Sequence, residues 1–312
     1  MRLRVGVIGL GRRWRRYRPI LAQLRDHVEV RAVWDHVVRR AESEARQLRC
    51  TAAGGPVELI ERSDVEAVLL FDSQWFGLWP LEHLCRTKKP VFCTLAADSE
   101  AAHVDALRQR IQDSELPVLM ALGPLLAPAN LLLRELLIHR LGPARLVRAD
   151  WSVTPPRSGP ARDLLSNPVV LPLLAGCAWL LDDRPRSVWT IDGEGASFVT
   201  MVLRFGGERL GQVNLWTAAA RAPGRFEVVA EAGTVTAELP RQLRWRDDDG
   251  QHSQRLPPRS IEQSGLERFL LSLRAGQPLR PNFEDAFQAL TWLRAAVRSR
   301  EEGRRIELKE GI

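Results

Sequence analysis

The stretch "VGVIGLGRRWRRYRPIL", Val5 to Leu21, decides how the chain is read. An apolar run ends in Gly9 and Gly11, and a helical periodicity follows. A buried strand, a glycine turn and a helix, in that order, make the cradle that holds a dinucleotide. The first two glycines permit a sharp turn and close approach of backbone to a diphosphate. A third lets the helix pack tightly on the sheet. Here the third place is Trp14, set among Arg12, Arg13, Arg15, Arg16 and Arg18. Trp14, Tyr17, Leu21 and Leu24 recur at i, i+3, i+7 and i+10, one apolar helix face, so Trp14 is expected to point at the core. A helix N-terminus attracts anions, and Arg12 or Arg13 would add direct phosphate contacts. Gly9, Leu10, Gly11, Arg12 and Arg13 are therefore the expected diphosphate-binding residues. The competing reading is an ordinary strand–turn–helix with solvated arginines.

Val28–Trp34 reads as the next strand. It ends at Asp35, where an acid can bond the ribose hydroxyls of adenosine, which favours NAD. Arg39 and Arg40 follow closely and are placed to meet the 2′-phosphate of NADP. His36 is a candidate adenosine contact. Asp35 or His36 could equally serve only to cap the following helix.

The alternation continues. Strands are expected at Arg2–Ile8, Val65–Phe71, Val91–Leu95 and Pro117–Ala121. Helices are expected at Arg13–Leu24 (with Pro19 inside), Val37–Gln47, Leu78–Arg86 and Ser99–Asp113, the last capped by Asp98 or Ser99. Strands alternating with helices imply α/β: a Rossmann-type, doubly wound parallel sheet. After Ala121 the rhythm changes. A helix over Asn130–His139 precedes period-two segments at Ala144–Val153, Arg186–Ile191, Ser197–Phe205, Arg209–Thr217, Phe226–Glu231, Thr234–Leu239 and Leu243–Arg246. Helices over Ile261–Arg274 and Asn282–Glu301 finish the chain. The expected division is a nucleotide-binding domain, 1–121, and an α+β domain with a mostly antiparallel open sheet, 122–312, including the C-terminal helix 282–301.

Of the 312 residues, 45% are hydrophobic and 27% charged, the balance of a soluble globular protein. No run of about 18 apolar residues is present, so no membrane span is expected. The pair Arg12-Arg13 follows the apolar run instead of preceding it, so an export signal is not expected and the cytoplasm is. Cys50, Cys85, Cys93 and Cys177 form no C-x-x-C pair and are expected as buried free thiols, without a metal site. Net charge is +7, yet residues 1–40 hold eleven arginines against Asp26, Glu29 and Asp35. The basic excess is therefore local to the glycine loop, which favours a phosphate-bearing ligand there over a coating for nucleic acid.

Longer stretches carry a resemblance. "ERSDVEAVLLF", "RTKKPVFC", "RFGGERLGQVNLW", "VVAEAGTVTAEL" and "FEDAFQALTWLRAAVRSREEGRRIEL" resemble segments of the glucose–fructose oxidoreductase, inositol dehydrogenase and rhizopine-catabolism (Gfo/Idh/MocA) family, along nearly the whole chain. The resemblance implies NAD(P)-dependent oxidation or reduction of sugars and polyols. It also implies a cofactor-binding first domain and a second domain that binds substrate and pairs subunits. The family's chemistry rests on a lysine in an E-K-P motif, with an aspartate and a histidine on a second-domain helix. In this sequence Leu95 stands at the lysine's place. The helix resembling "LPLLAGCAWLLDDRPRSV" places Pro168 and Pro172 near the other two, and no histidine lies between His139 and His252. The family's T-P near the nicotinamide looks like Asp72-Ser73, so Asp72, Ser73 and Thr94 join the expected cofactor-binding residues.

No replacement base stands out. The only lysines are Lys88, Lys89 and Lys309. The first two precede a strand, about 16–20 Å from its carboxyl end, and are expected to be solvated turn residues. Cys93 is expected in the core. No catalytic residue is assigned. Three readings follow: a catalytically degenerate nucleotide-binding homologue acting as sensor, partner or subunit; an active oxidoreductase with acid–base work moved to Asp72, Thr94, Asp163 or a substrate hydroxyl; and a nucleic-acid binder using the arginine helix, which no recognised motif supports. Self-association as a homodimer or higher homo-oligomer is expected. The basis is that Val199, Met201 and Leu203, with Val213 and Leu215, would leave an apolar sheet face uncovered.

Overall fold

The structure, a computed structural model, describes residues 2–71, 77–94, 101–155, 163–193, 197–220 and 222–308. In chain order the first elements are β1 (Leu3–Ile8), α1 (Trp14–Gln23), β2 (Val28–Trp34), α2 (Val38–Leu48), β3 (Thr51–Ala52), α3 (Pro56–Glu61), β4 (Ala67–Leu70), α4 (Trp79–Thr87), β5 (Val91–Cys93), α5 (Ala101–Ser114) and β6 (Val118–Met120). There follow α6 (Pro128–Leu136), ending in a wider turn over Leu137–Leu141, then β7 (Ala144–Val153), α7 (Val170–Leu181), β8 (Ser187–Asp192), β9 (Phe198–Arg204) and β10 (Leu210–Thr217). The chain finishes with β11 (Arg225–Ala230), β12 (Gly233–Glu238), β13 (Gln242–Asp247), β14 (Gly250–Arg255), α8 (Ile261–Arg274), α9 (Phe283–Glu302) and β15 (Ile306–Glu307).

The chain divides into two compact units. One is Met1–Leu122 with Glu262–Phe287; the other is Gly123–Ile261 with Gln288–Ile312. Sequence reading places Glu262–Phe287 wholly in the second domain. The structure returns it to the first unit, because α8 buries Leu266, Phe269 and Leu270, and the Phe269 ring meets Phe92 of β5 edge-on at 5.8 Å.

The first unit's described strands form one parallel sheet in the order β3-β2-β1-β4-β5-β6. Val5, Val7 and Ile8 of β1 are fully enclosed, as are Ala67, Val68 and Leu69 of β4. An all-parallel sheet covered on both faces requires this. Strand order reverses at β1 and β4, so the crevice of this fold lies beyond the carboxyl ends of the strands there. Gly9, Asp35 and Thr94 each stand directly after such a strand end. The helix α1 runs through Pro19, which lies on its exposed face. The elements β3 and α3 leave no signal in the sequence pattern.

The second unit's described strands form a sheet in the order β14-β13-β12-β11-β7-β10-β9-β8-β15. Only β10 with β7 is parallel. The helix α7 lies against this sheet: a Cβ on Gly176 would come within 2.8 Å of the Phe226 ring, so only glycine permits the approach. Val199, Met201, Leu203, Val213 and Leu215 are at most 2% exposed. This corrects the expectation that they form an uncovered apolar face: all five lie in the core, and α7 packs on β10 and its neighbour β7. The opposite face carries half-exposed Trp189, Ile191 and Phe198 beside the charged cluster of Arg148, Asp150 and Arg225. Among the described residues, no helix is long and apolar enough to cross a membrane.

Candidate functional site: the glycine loop

Gly9 has φ +89°, which a side chain would strain, and its N–H donates to the Trp34 carbonyl at 2.9 Å. The next amide, of Leu10, donates to Asp35 Oδ2 at 2.7 Å. Two successive N–H groups thus tie the loop to the end of β2. The helix α1 then starts without a side-chain cap and without an acid in its first turn. Such an N-terminus keeps its positive partial charge for an anion. Arg12 and Arg13 are exposed beside it. Further along, Arg16 pairs with Glu262 at 3.4 Å and Arg18 with Glu44 at 2.9 Å, so the outer part of the basic helix is partly neutralised.

Trp14 is 1% exposed. Its ring lies 5.9 Å from Phe71, while Tyr17 stacks on Phe71 at 4.5 Å and meets Phe92 edge-on at 5.5 Å. The bulky residue at the third glycine's place therefore belongs to an aromatic layer under the loop. Its indole Nε1 is buried and has no hydrogen-bond partner among the described residues. Burial also pushes the Tyr17 hydroxyl up.

Asp35 is as hidden as Trp14, with a side chain 1% exposed. Oδ1 accepts from the Val37 amide at 2.9 Å and from Arg40 at 3.1 Å; Oδ2 accepts from Leu10 and, at 3.2 Å, from the same Arg40 nitrogen. His36 Nδ1 lies 3.5 Å from Oδ1. The carboxylate is thus already coordinated by protein donors. The groups that reach solvent around it are the exposed His36 and Arg39 and the half-buried Arg40. The loop fits a diphosphate. The acid does not present the uncommitted oxygens that ribose hydroxyls need.

Thr94 is buried after β5, where its hydroxyl donates to the Phe71 carbonyl at 2.7 Å and its amide to the Leu70 carbonyl at 3.0 Å. Asp72, Ser73 and Leu95 lie outside the described residues. Lys89 is not a solvated turn residue: its ammonium donates to the Ile60 and Arg62 carbonyls, both at 2.6 Å, closing the end of α3, and burial pulls its pKa down. Asp163 starts a short turn of helix and pairs bidentately with Arg300 at 2.6 and 3.0 Å, which holds its carboxyl below the usual range. Cys93 and Cys177 are buried, with thiols pushed up to about 12. Cys50 and Cys85 are only half-buried, a correction to the expectation for all four.

The helix α7 is apolar from Val170 to Leu181 and holds no histidine or carboxylate. Pro168 precedes it and Pro172 is buried in its first turn. His252 belongs to the β13–β14 hairpin, where it stacks on Trp245 and meets Asp247 at 3.0 Å. Among the described residues no group of three or more histidines, cysteines or carboxylates could hold a metal. Sequence reasoning does not find the bond from Leu10 to Asp35 or the pairing of Arg40. The one available signal is the five-residue spacing of Asp35 and Arg40.

These features define a two-unit chain with a dinucleotide-type first unit and an open-sheet second unit. The fold is that of Gfo/Idh/MocA-type dehydrogenases over the whole chain. A levoglucosan dehydrogenase, in complex with NADH and levoglucosan, is similar at TM-score 0.82 and 15% identity, covering 99% of this chain and 100% of that one. A UDP-N-acetylglucosamine 3-dehydrogenase from Acidithiobacillus ferrooxidans is similar at 0.81 and 17%, covering 96% and 98%. An NAD binding oxidoreductase from Klebsiella pneumoniae is similar at 0.81 and 16%, covering 100% of both. No family model matches the sequence, and no curated protein matches it.

Proposed function

We propose that this chain is a catalytically degenerate, NADP(H)-binding homologue of the sugar and polyol oxidoreductases. The observation that carries the reading is the contrast between its two units: a glycine loop shaped for a diphosphate, and an α7 without any acid–base side chain. The amides at the start of α1, with Arg12 and Arg13, would hold the diphosphate. Arg40 and Arg39 would face the 2′-phosphate, because the Asp35 carboxylate is already occupied. A bound nicotinamide supplies a hydride acceptor or donor, and a proton must move at the substrate oxygen in the same reaction. General acid–base groups typically contribute about 10²–10⁴-fold to such a step. The described candidates are poorly suited to it: Thr94 spends its hydroxyl on a backbone carbonyl and Asp163 is held ionised by Arg300.

The test is paired. NADPH and NADH binding are titrated by fluorescence, and sugars and polyols with their oxidised forms are screened for turnover. The expected result is saturable NADPH binding with turnover far below the roughly 10 s⁻¹ of a typical enzyme. Turnover near that value on any sugar overturns degeneracy; absence of binding overturns the nucleotide reading.

A further inference from the structure

Four arginines crowd the start of α1. Arg12 and Arg13 precede the helix, and Arg15 and Arg16 lie in its first turn. The positive end of a helix dipole disfavours cations, and this first turn holds no acid. Side chains of a helix lean toward its N-terminus, so Arg16 leans toward the glycine loop. A helix start of this kind calls for an anion.

The protein supplies one from 246 residues away. Glu262, in the first turn of α8, places Oε1 3.4 Å from Arg16 Nη1. The helix that carries this carboxylate is fixed in place. Leu266, Phe269 and Leu270 of α8 are buried, and Phe269 meets Phe92 edge-on at 5.8 Å. At the other end of α8, Arg274 contacts His27 Nδ1, just beyond α1, at 3.1 Å. The two helices are therefore joined at both ends.

Tyr17 ties Glu262 to a second arginine of the loop. Burial and Glu262 raise its hydroxyl, while Arg13 and Arg16 pull it the other way. One buried phenol thus feels the carboxylate and both guanidiniums, so the three charges share one neighbourhood at the start of α1.

The Arg16–Glu262 pair is long and Arg16 is 64% exposed, so solvent screens it and it contributes little to stability. Its effect falls on any anion that approaches the helix start. A fixed negative charge there opposes a diphosphate by direct repulsion and by holding Arg16. Glu262 also stands at the N-terminus of its own helix, where an acid is favoured. That role alone would leave nucleotide binding untouched.

We infer, on the nucleotide-binding reading proposed above, that Glu262 is the resident counter-ion of the glycine-loop arginines and sets nucleotide affinity by competing with the diphosphate for Arg16.

The test is fluorescence titration of the full chain with NADPH and with NADH, each variant being checked for folding by circular dichroism. At about 50 mM salt, Glu262→Gln is expected to tighten both at least about threefold. The two gains should match, because the diphosphate is common to both cofactors. At about 500 mM salt the gain should vanish. Glu262→Asp, which keeps the charge, should stay close to the parent protein. In an Arg16→Gln background the gain from Glu262→Gln should shrink, because there is no longer an Arg16 to compete for. A parent protein that binds nucleotide as tightly as Glu262→Gln, or more tightly, overturns the inference and leaves the nucleotide reading standing. So does a gain that is undiminished without Arg16 or that persists at high salt. Absence of binding in both the parent and Glu262→Gln overturns the nucleotide reading, and this inference with it.

Discussion

The Leu10 amide and the Asp35 carboxylate stand 2.7 Å apart, joining the glycine loop to the end of the second strand. An acid in a position suited to a ribose instead braces the loop from within. Asp35→Ala would leave the buried Leu10 amide and the Val37 amide without their acceptor, and Arg40 without its partner. Hydrogen bonds to charged groups contribute about 1.5–3 kcal/mol each, so a loss of about 3 kcal/mol is expected. Urea denaturation measures it. A loss below about 0.5 kcal/mol, the size of an ordinary surface substitution, would show that the brace carries little.

Trp14 makes a sharper case, because two substitutions separate packing from hydrogen bonding. Trp14→Ala removes a fully buried indole and should cost about 3–5 kcal/mol. Trp14→Phe keeps most of the aromatic contact with Phe71 and removes an Nε1 donor that has no acceptor among the described residues. Losing an unsatisfied donor offsets part of the lost volume, so Trp14→Phe should cost about 1 kcal/mol or less. Equal losses for the two variants would contradict this account of the aromatic layer.

Much of this is legible in periodicities. The spacing of Trp14, Tyr17 and Leu21 announces a buried helix face, and the structure buries all three. The strand β2 and the helix α8 have the bounds their patterns indicate. Other features need the third dimension. Two-residue strands such as β3 and β15 are too short for a period to register. The inner face of Val213 and Leu215 looks uncovered in sequence because α7, which packs on their strand β10, is apolar all round and shows no amphipathic stripe. The bracing role of Asp35 is hidden because Leu10 lies 25 residues away.

The pair Asp163–Arg300 predicts an acid-sensitive contact. The hydrogen-bonded guanidinium lowers the Asp163 pKa in the folded state. Its contribution is therefore present above the ordinary aspartate pKa and is lost as pH falls through the lower, folded value. Both side chains are partly exposed, so solvent screening keeps the effect modest. Asp163→Asn should lower stability at pH 7 and narrow its gap to the parent protein below about pH 4. Melting temperatures across the range from about pH 3 to pH 7 check this. A gap that widens in acid would reverse the assignment.

Cofactor choice turns on Arg40. Its guanidinium lies 3.1 and 3.2 Å from the two oxygens of Asp35, covering a carboxylate that would otherwise repel a 2′-phosphate and accept ribose hydroxyls. Arg40→Ala removes the cation and bares the anion together. NADPH binding should weaken and NADH binding should strengthen, moving the ratio of their dissociation constants at least tenfold toward NADH, which corresponds to about 1.4 kcal/mol. Arg12→Ala with Arg13→Ala acts on the diphosphate common to both cofactors, so it should weaken both in similar proportion. Because these arginines are exposed, raising salt from about 50 to about 500 mM should weaken binding in the parent protein more than in the double variant. Fluorescence titration at two salt concentrations reads all of these. An unchanged ratio in Arg40→Ala would remove Arg40 from cofactor selection, and tight binding indifferent to salt would remove the arginines from the diphosphate site.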